Sequence, residues 1–280
     1  MSESDPEQVA IRHAATVMLI DDRPDLQVYM MERHADIVFG GGMWVFPGGR
    51  VDEADDPSTF APFCLHRTDT QASELMQMPA GALTYYVAAV REAFEEAGIL
   101  LALHRDTGRL LDLTEPETMR RFEAHRRDIN DSNRNFIELI EDENLILDVG
   151  TMHYIARWIT PVGPPRRYDT RFFITRMPAA QTPIHDDHEL VHAQWLTPAE
   201  ILRQFDSGTM TLMSPTLRML RCLARFTSAD EVMAAAAANQ PDERARVNAT
   251  GDIVLPGDAD YDTANENIES GWVRLRPLLR

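Results

Sequence analysis

Arg91-Glu92-Ala93-Phe94-Glu95-Glu96-Ala97-Gly98-Ile99 is the stretch whose reading decides the fold. Tyr86, Ala89, Val90, Ala93, Phe94 and Ala97 recur every three to four residues, which predicts a helix from about Ala82 to a glycine C-cap at Gly98. On that helix Glu92, Glu95 and Glu96 share one face. Like charges at this spacing destabilise a bare helix by about 0.2–0.5 kcal/mol per pair, so the triplet calls for a cation, and a divalent ion would supply it. Arg91 lies four residues before Glu95, placed to orient one carboxylate while the other two point outward. Taken alone, the octamer reads equally well as a solvated glutamate-rich face.

Upstream, Trp44-Val45-Phe46-Pro47-Gly48-Gly49-Arg50-Val51-Asp52 is a short apolar strand running into a Pro-Gly-Gly turn. Together the two stretches resemble the Nudix hydrolase signature, matched at Gly48, Arg91, Glu92, Glu95, Glu96, Gly98 and Ile99. Two departures stand out. Where the signature has its first glutamate this chain has Ala54, with Asp52, Glu53 and Asp55 as substitutes, and residues 56–90 separate the halves far more widely than usual. That insertion, with the spacing from Arg33 through Phe39 and Gly42 to Gly49, resembles the coenzyme A diphosphatase branch. The resemblance covers roughly residues 12–225. It implies an α/β fold, a Nudix-type α/β/α sandwich with a mixed sheet, carrying a helical insertion and extra C-terminal helices.

The resemblance also implies a site. Glu92, Glu95 and Glu96 would hold Mg2+ or Mn2+, hard cations that take carboxylate oxygens and substrate phosphates, with the Gly48 backbone carbonyl as a further ligand. Glu189, in the polar run Ile184-His185-Asp186-Asp187-His188-Glu189-Leu190, is a candidate general base on a loop over the metals; the competing reading is a solvated turn. His185, His188 and His192 raise a zinc site as a minor reading, opposed by Leu190, Val191 and Trp195, which point to a strand.

The chain has 280 residues and a formal net charge of −18, which argues against nucleic acid as a partner. An anionic small-molecule diphosphate substrate then needs local cations. Arg166, Arg167 and Arg171, with Tyr168 between them, form a basic cluster beside a proline-rich turn and are taken as substrate-binding with Arg33. An exposed strand edge balanced by local acids explains the cluster equally well. No run of 18 apolar residues occurs and the N-terminus, MSESDPEQ, is unlike a secretory signal, so a cytoplasmic protein without membrane spans is expected. Cys64 and Cys222 stand apart and read as buried fillers.

The organisation predicted is a flexible N-terminus (1–11), a domain over 12–242 and a C-terminal extension (243–280). Within the domain, 56–80 is the insertion, read as a small helical cap, and 214–239 holds two C-terminal helices. A helical layer spans 114–143, opened by a capping box at Thr114 and Glu117. That layer is structural cover on one reading, a substrate lid or homodimer surface on the other. Strands are predicted at 14–20, 26–33, 151–160, 171–176 and 190–196. The activity expected is hydrolysis of coenzyme A or an acyl-coenzyme A to 3′,5′-ADP and 4′-phosphopantetheine or its acyl form. The rivals are an ADP-ribose or NADH pyrophosphatase and a non-catalytic Nudix-fold nucleotide-binding protein.

Overall fold

A computed structural model describes residues 9–36, 40–184, 190–265 and 270–278. In chain order it contains β1 (Ile11–Asp22), β2 (Leu26–Arg33), β3 (Trp44–Val45), β4 (Gly48–Arg50), α1 (Pro57–Phe60), α2 (Asp69–Met76), α3 (Leu83–Ala97), β5 (Ala102–His104), α4 (Pro116–Asn130) and α5 (Phe136–Asp142). Then follow β6 (Leu145–Leu147), β7 (His153–Ile159), β8 (Arg167–Arg176), β9 (Leu190–Leu196), α6 (Pro198–Asp206), α7 (Ser214–Leu223), α8 (Ala229–Ala237), β10 (Glu243–Arg244), β11 (Arg246–Val247), β12 (Ile253–Val254) and β13 (Ser270–Val273).

Among the described residues the main sheet runs β10-β13-β7-β8-β1-β2-β3, with β4 on β1 and β9 on β2. β1 and β8 pair in parallel from Ile11 beside Arg167 to Ile20 beside Arg176, and the other pairings in this sheet are antiparallel. The strands are apolar on both faces because each covers a separate core. Ala15, Val17 and Leu19 of β1 and Phe173 of β8 face Tyr86, Val90 and Phe94 of α3 and the α4–α5 layer. Met18 and Ile20 of β1 and Phe172 and Ile174 of β8 face Leu217, Leu220 and Val232 of α7 and α8. A sheet buried on both sides between helices is the predicted mixed α/β/α sandwich.

The predicted insertion is helical, with α2 opened by a Thr68–Gln71 capping box. One expectation is corrected. The layer over 114–143 does contain two helices, but Thr114 does not open the first: Thr114 donates to Asp112, while the Glu115 carboxylate accepts the amides of Glu117 and Thr118 ahead of Pro116. Proline lacks an amide proton and suits the first helical turn, which moves the cap one residue on. The segment after residue 243 is woven into the sheet, since β13 pairs with β7. No helix among the described residues is long and apolar enough to cross a membrane.

Candidate active site

α3 ends as its sequence dictates: Gly98 takes φ +67°, and its amide bonds back to Phe94. A left-handed glycine at this position closes the last turn. The outward face of that turn carries Glu92, Glu95 and Glu96, and the loop joining β3 to β4 packs onto it. The Gly48 amide donates to Glu96 Oε2 at 2.8 Å. A Cβ on Gly49 would lie 2.5 Å from the Glu92 carboxylate, and one on Gly48 would lie 2.6 Å from the backbone of Ala15 and Thr16. The two glycines therefore do different work. Gly48→Ala must push β4 off β1, at about 1–3 kcal/mol of overpacking, whereas Gly49→Ala meets only the end of a flexible side chain. Gly49→Ala should keep a near-normal melting temperature and lose activity as Glu92 is displaced; paired melting and turnover measurements on both variants check this, and equal effects in both would refute it.

Arg91 organises the carboxylates. Its guanidinium grips Asp55 in a bidentate pair at 2.9 and 3.0 Å, donates to the Arg50 carbonyl at 2.8 Å, and reaches Glu92 at 2.9 Å and Glu95 at 3.0 Å. The predicted Arg91–Glu95 pair is present, and Arg91 also holds Glu92, while Glu96 accepts the Gly48 amide. Burial works against the Arg91 charge, yet the bond to Asp55 and the fields of Glu92 and Asp55 more than offset it, so it stays protonated. Burial pushes the Glu92 carboxyl well above the usual range; Arg91 opposes this, and the charges of Glu96 and Glu95 add to it. Burial also raises Glu95, against the opposing charge of Arg91.

The choice among Asp52, Glu53 and Asp55 is visible. The short 3-10 turn Glu53–Asp55 leaves Ala54 exposed and turns Asp55 inward, where it is 1% exposed and locked to Arg91. Asp52 remains at the surface 3.8 Å from Arg91. It lines, with Glu92, Glu95 and Glu96, a cleft of about 550 Å³ whose far wall is Ile129, Asn130, Asp131 and Ser132 at the end of α4, with Leu190 at its edge. α4 was read as a structural layer or lid; its C-terminal end borders the cleft. Its buried Arg126 donates to the carbonyls of Glu95 and Glu96 at 2.8 and 2.7 Å and to Ile184 at 2.7 Å. That satisfies the last carbonyls of α3 and anchors the acidic turn. Asp52, one of the three acids the sequence offers, is the one on the cleft, while sequence reasoning missed Arg126 and Asn130, because only tertiary packing brings α4 to this end of α3.

The arginine candidates are not brought together. Arg33 ends β2 and pairs in the ladder with Leu190, which lines the cleft, while Arg33 itself is not among its lining residues. Arg171 is 3% exposed, pairs with Asp169, and lies over the Tyr85 ring, two turns of α3 before Glu92. Arg157 shares Asp169 through bonds of 2.9 and 2.7 Å. Arg167 donates to the Thr160 carbonyl, Arg166 is exposed, and Tyr168 projects from the opposite face of β8 from Arg167 and Arg171. Glu189, His185 and His188 lie outside the described residues. His192 is exposed on β9, the strand that Leu190, Val191 and Trp195 suggested.

Among the described residues no three acidic, histidine or cysteine side chains already converge as metal ligands. Arg91 bonds Glu92 and Glu95, and the Gly48 amide bonds Glu96. The donor set nonetheless suits a hard divalent ion: hard carboxylate oxygens, two of them with burial-raised pKa, on one wall of an open cleft.

Comparison with known proteins agrees with this geometry. The family described as the NUDT19 Nudix domain matches residues 56–223, which include the insertion, the acidic turn and β7–β9. The chain belongs to the NUDT19 Nudix domain family. A human relative named acyl-coenzyme A diphosphatase NUDT19 is 29% identical over 238 residues, covering 74% of this chain and 62% of the relative. The Xenopus laevis protein of the same name is 24% identical over 237 residues, with the same coverage. This chain thus spans somewhat under two thirds of the length of those relatives. A crystal structure of a Nudix hydrolase from Alicyclobacillus acidocaldarius superposes with a TM-score of 0.66 at 26% identity, covering 81% of this chain and 97% of that one. The Nudix fold, and the resemblance to the coenzyme A diphosphatase branch, are therefore as the sequence implied.

Proposed function

We propose that this protein is a divalent-metal-dependent Nudix diphosphatase acting on coenzyme A or an acyl-coenzyme A. The observation that carries the reading is the cleft itself: Asp52, Glu92, Glu95 and Glu96 line one cavity, with Glu92 and Glu96 packed against Gly48 and Gly49 of β4. The names of the relatives support the coenzyme A substrate class. Water would add to one phosphorus of the diphosphate and the bridging oxygen would leave with the other, giving 3′,5′-ADP and 4′-phosphopantetheine or its acyl form. Glu92, Glu95 and Glu96 would hold Mg2+ or Mn2+, with the Gly48 carbonyl as a further ligand. Bound there, the ion supplies charge neutralisation and lowers the pKa of a coordinated water. Arg91 and Asp55 set the orientation of the glutamates, Arg33 binds substrate phosphate, and Glu189 serves as general base. Arg166, Arg167, Tyr168 and Arg171 remain proposed contacts to more distant parts of the substrate.

The deciding experiment is a substrate panel of coenzyme A, acyl-coenzyme A, NADH and ADP-ribose with Mg2+ or Mn2+, with products identified by mass spectrometry. Preferred cleavage of coenzyme A species supports the reading; preferred cleavage of NADH or ADP-ribose moves the site to a dinucleotide pyrophosphatase. Tight binding without turnover of any member would make the protein a nucleotide sensor.

The buried carboxyls also predict a pH dependence. A raised carboxyl pKa means that the metal-free fold holds protons the unfolded chain gives up. Its contribution to stability is complete below the unfolded value of about 4.3 and is lost as pH rises through the raised native value. Divalent ions bind the ionised form and should restore stability at the upper end. In EDTA, the melting temperature of wild type relative to Glu92→Gln should fall as pH rises, and Mg2+ should reverse the trend. A difference that stays flat with pH would contradict the burial of Glu92.

A further inference from the structure

A second cavity, of about 450 Å³, lies where the insertion meets the C-terminal segment, lined by His66, Arg67, Gln71, Glu74, Leu75, Asn239 and Arg274. It shares no lining residue with the acidic cleft. Its lining mixes signs, with Arg67 and Arg274 beside Glu74, where the cleft wall on α3 is acidic. Arg274 is 7% exposed and tied to Asp242 by bonds of 2.8 and 3.0 Å, so it forms a fixed, neutralised wall. Arg67 is different. It is half-buried over the Tyr86 ring at 4.8 Å, and it meets only the carbonyls of Val149 and Met152 at long distances of 3.5 and 3.4 Å. Among the described residues no carboxylate pairs with it, in a chain with 45 acidic and 27 basic side chains. A partly desolvated guanidinium with weak partners is a strong recognition group for a phosphate or carboxylate.

Neutral donors complete the set. Gln71 uses its Oε1 to cap α2 at the Thr68 amide, leaving Nε2 for the cavity, and the Asn239 side-chain amide makes no hydrogen bond among the described residues. His66 is carried in by a left-handed backbone, φ +60°, packed so closely on Gly150 that a Cβ there would lie 2.4 Å from its own, and its Nδ1 lies 3.9 Å from the largely buried Asp148 carboxylate. Glu74 on the lining opposes a highly charged ligand and favours one small anionic group with a hydroxyl or amine beside it. We propose that this cavity binds a small phosphate-bearing molecule, centred on Arg67 and separate from the acidic cleft. Tyr86 and Glu92 are six residues apart on α3, about 9 Å along the axis and on different faces, so a ligand here would meet the same helix without touching the glutamates.

The test is titration of the full chain with inorganic phosphate in EDTA, followed by calorimetry and by 31P line width, and repeated with adenosine 3′,5′-bisphosphate. Saturable binding weakened at least tenfold by Arg67→Gln and by Gln71→Glu, and retained in Glu95→Gln, is the expected result. Gln71→Glu is the safer variant for folding, because glutamate also completes a capping box. Tighter binding of the bisphosphate would identify a nucleotide phosphate as the ligand, and equal binding a free phosphate group. Absence of saturable binding of both probes, or affinity unchanged in both cavity variants, overturns the proposal. Coenzyme A turnover by Arg67→Gln should be unaltered, so failure here is distinguishable from failure of the proposed activity.

Discussion

Glu96→Gln is expected to fold normally and to lose on the order of 10³-fold in turnover, since loss of one charged ligand at a metal-assisted site is worth about 4 kcal/mol of barrier. The glutamine carbonyl still accepts the Gly48 amide that Glu96 Oε2 now receives at 2.8 Å. The α3 and β4 elements therefore stay docked, and what disappears is the negative charge. The measurement is kcat with coenzyme A across a Mg2+ titration, beside a melting curve. A drop in turnover with unchanged melting temperature and a raised metal requirement is the predicted signature. Unchanged kcat at every metal concentration would remove Glu96 from the reaction.

Asp55→Ala should be the most destabilising single change near the site. Asp55 is almost fully buried and supplies two of the hydrogen bonds of Arg91, which is itself only 7% exposed. Removing one partner of a buried pair strands the other, at about 3–5 kcal/mol, or a fall in melting temperature on the order of 10 °C. Glu92 and Glu95 would then be oriented by a guanidinium free to swing, so turnover should fall as well. Adding Ala54→Glu, which restores a glutamate at the signature position, should not rescue either property because residue 54 faces solvent. Rescue by that double variant would show that the turn can rotate and that the assignment of Asp55 is wrong. Chemical denaturation of the three proteins decides between the outcomes.

How much of this was legible in the sequence depends on how local the determinants are. α3 could be read to within a residue because its apolar period and its glycine cap are both encoded within one segment. The two strands β1 and β2 and the helical insertion were legible for the same reason. Asp55 could not be separated from Asp52 and Glu53, because which of three adjacent acids turns inward is decided by the docking of a single 3-10 turn on Arg91. The basic cluster on β8 was visible as composition but not as geometry. Strand alternation sends Tyr168 to one face and Arg171 to the other, where Asp169 and Tyr85 already engage it. The end of α4 gave no sign of lying beside the glutamates, since Arg126 and Asn130 reach their carbonyls from 30 and 35 positions further along the chain.

The strand order has a consequence for biosynthesis. β7 finds one neighbour in β8 but its other neighbour, β13, is translated more than a hundred residues later, and β1 must wait for β8 to form its parallel ladder. Non-local pairings of this kind are slow to close, and the waiting edge is a template for unwanted association. A nascent polypeptide stalled before residue 270 would present β7 as a raw border to its surroundings. Chaperone demand should therefore peak late on the ribosome, after the acidic turn has been made and before the last strand arrives to seal the sheet.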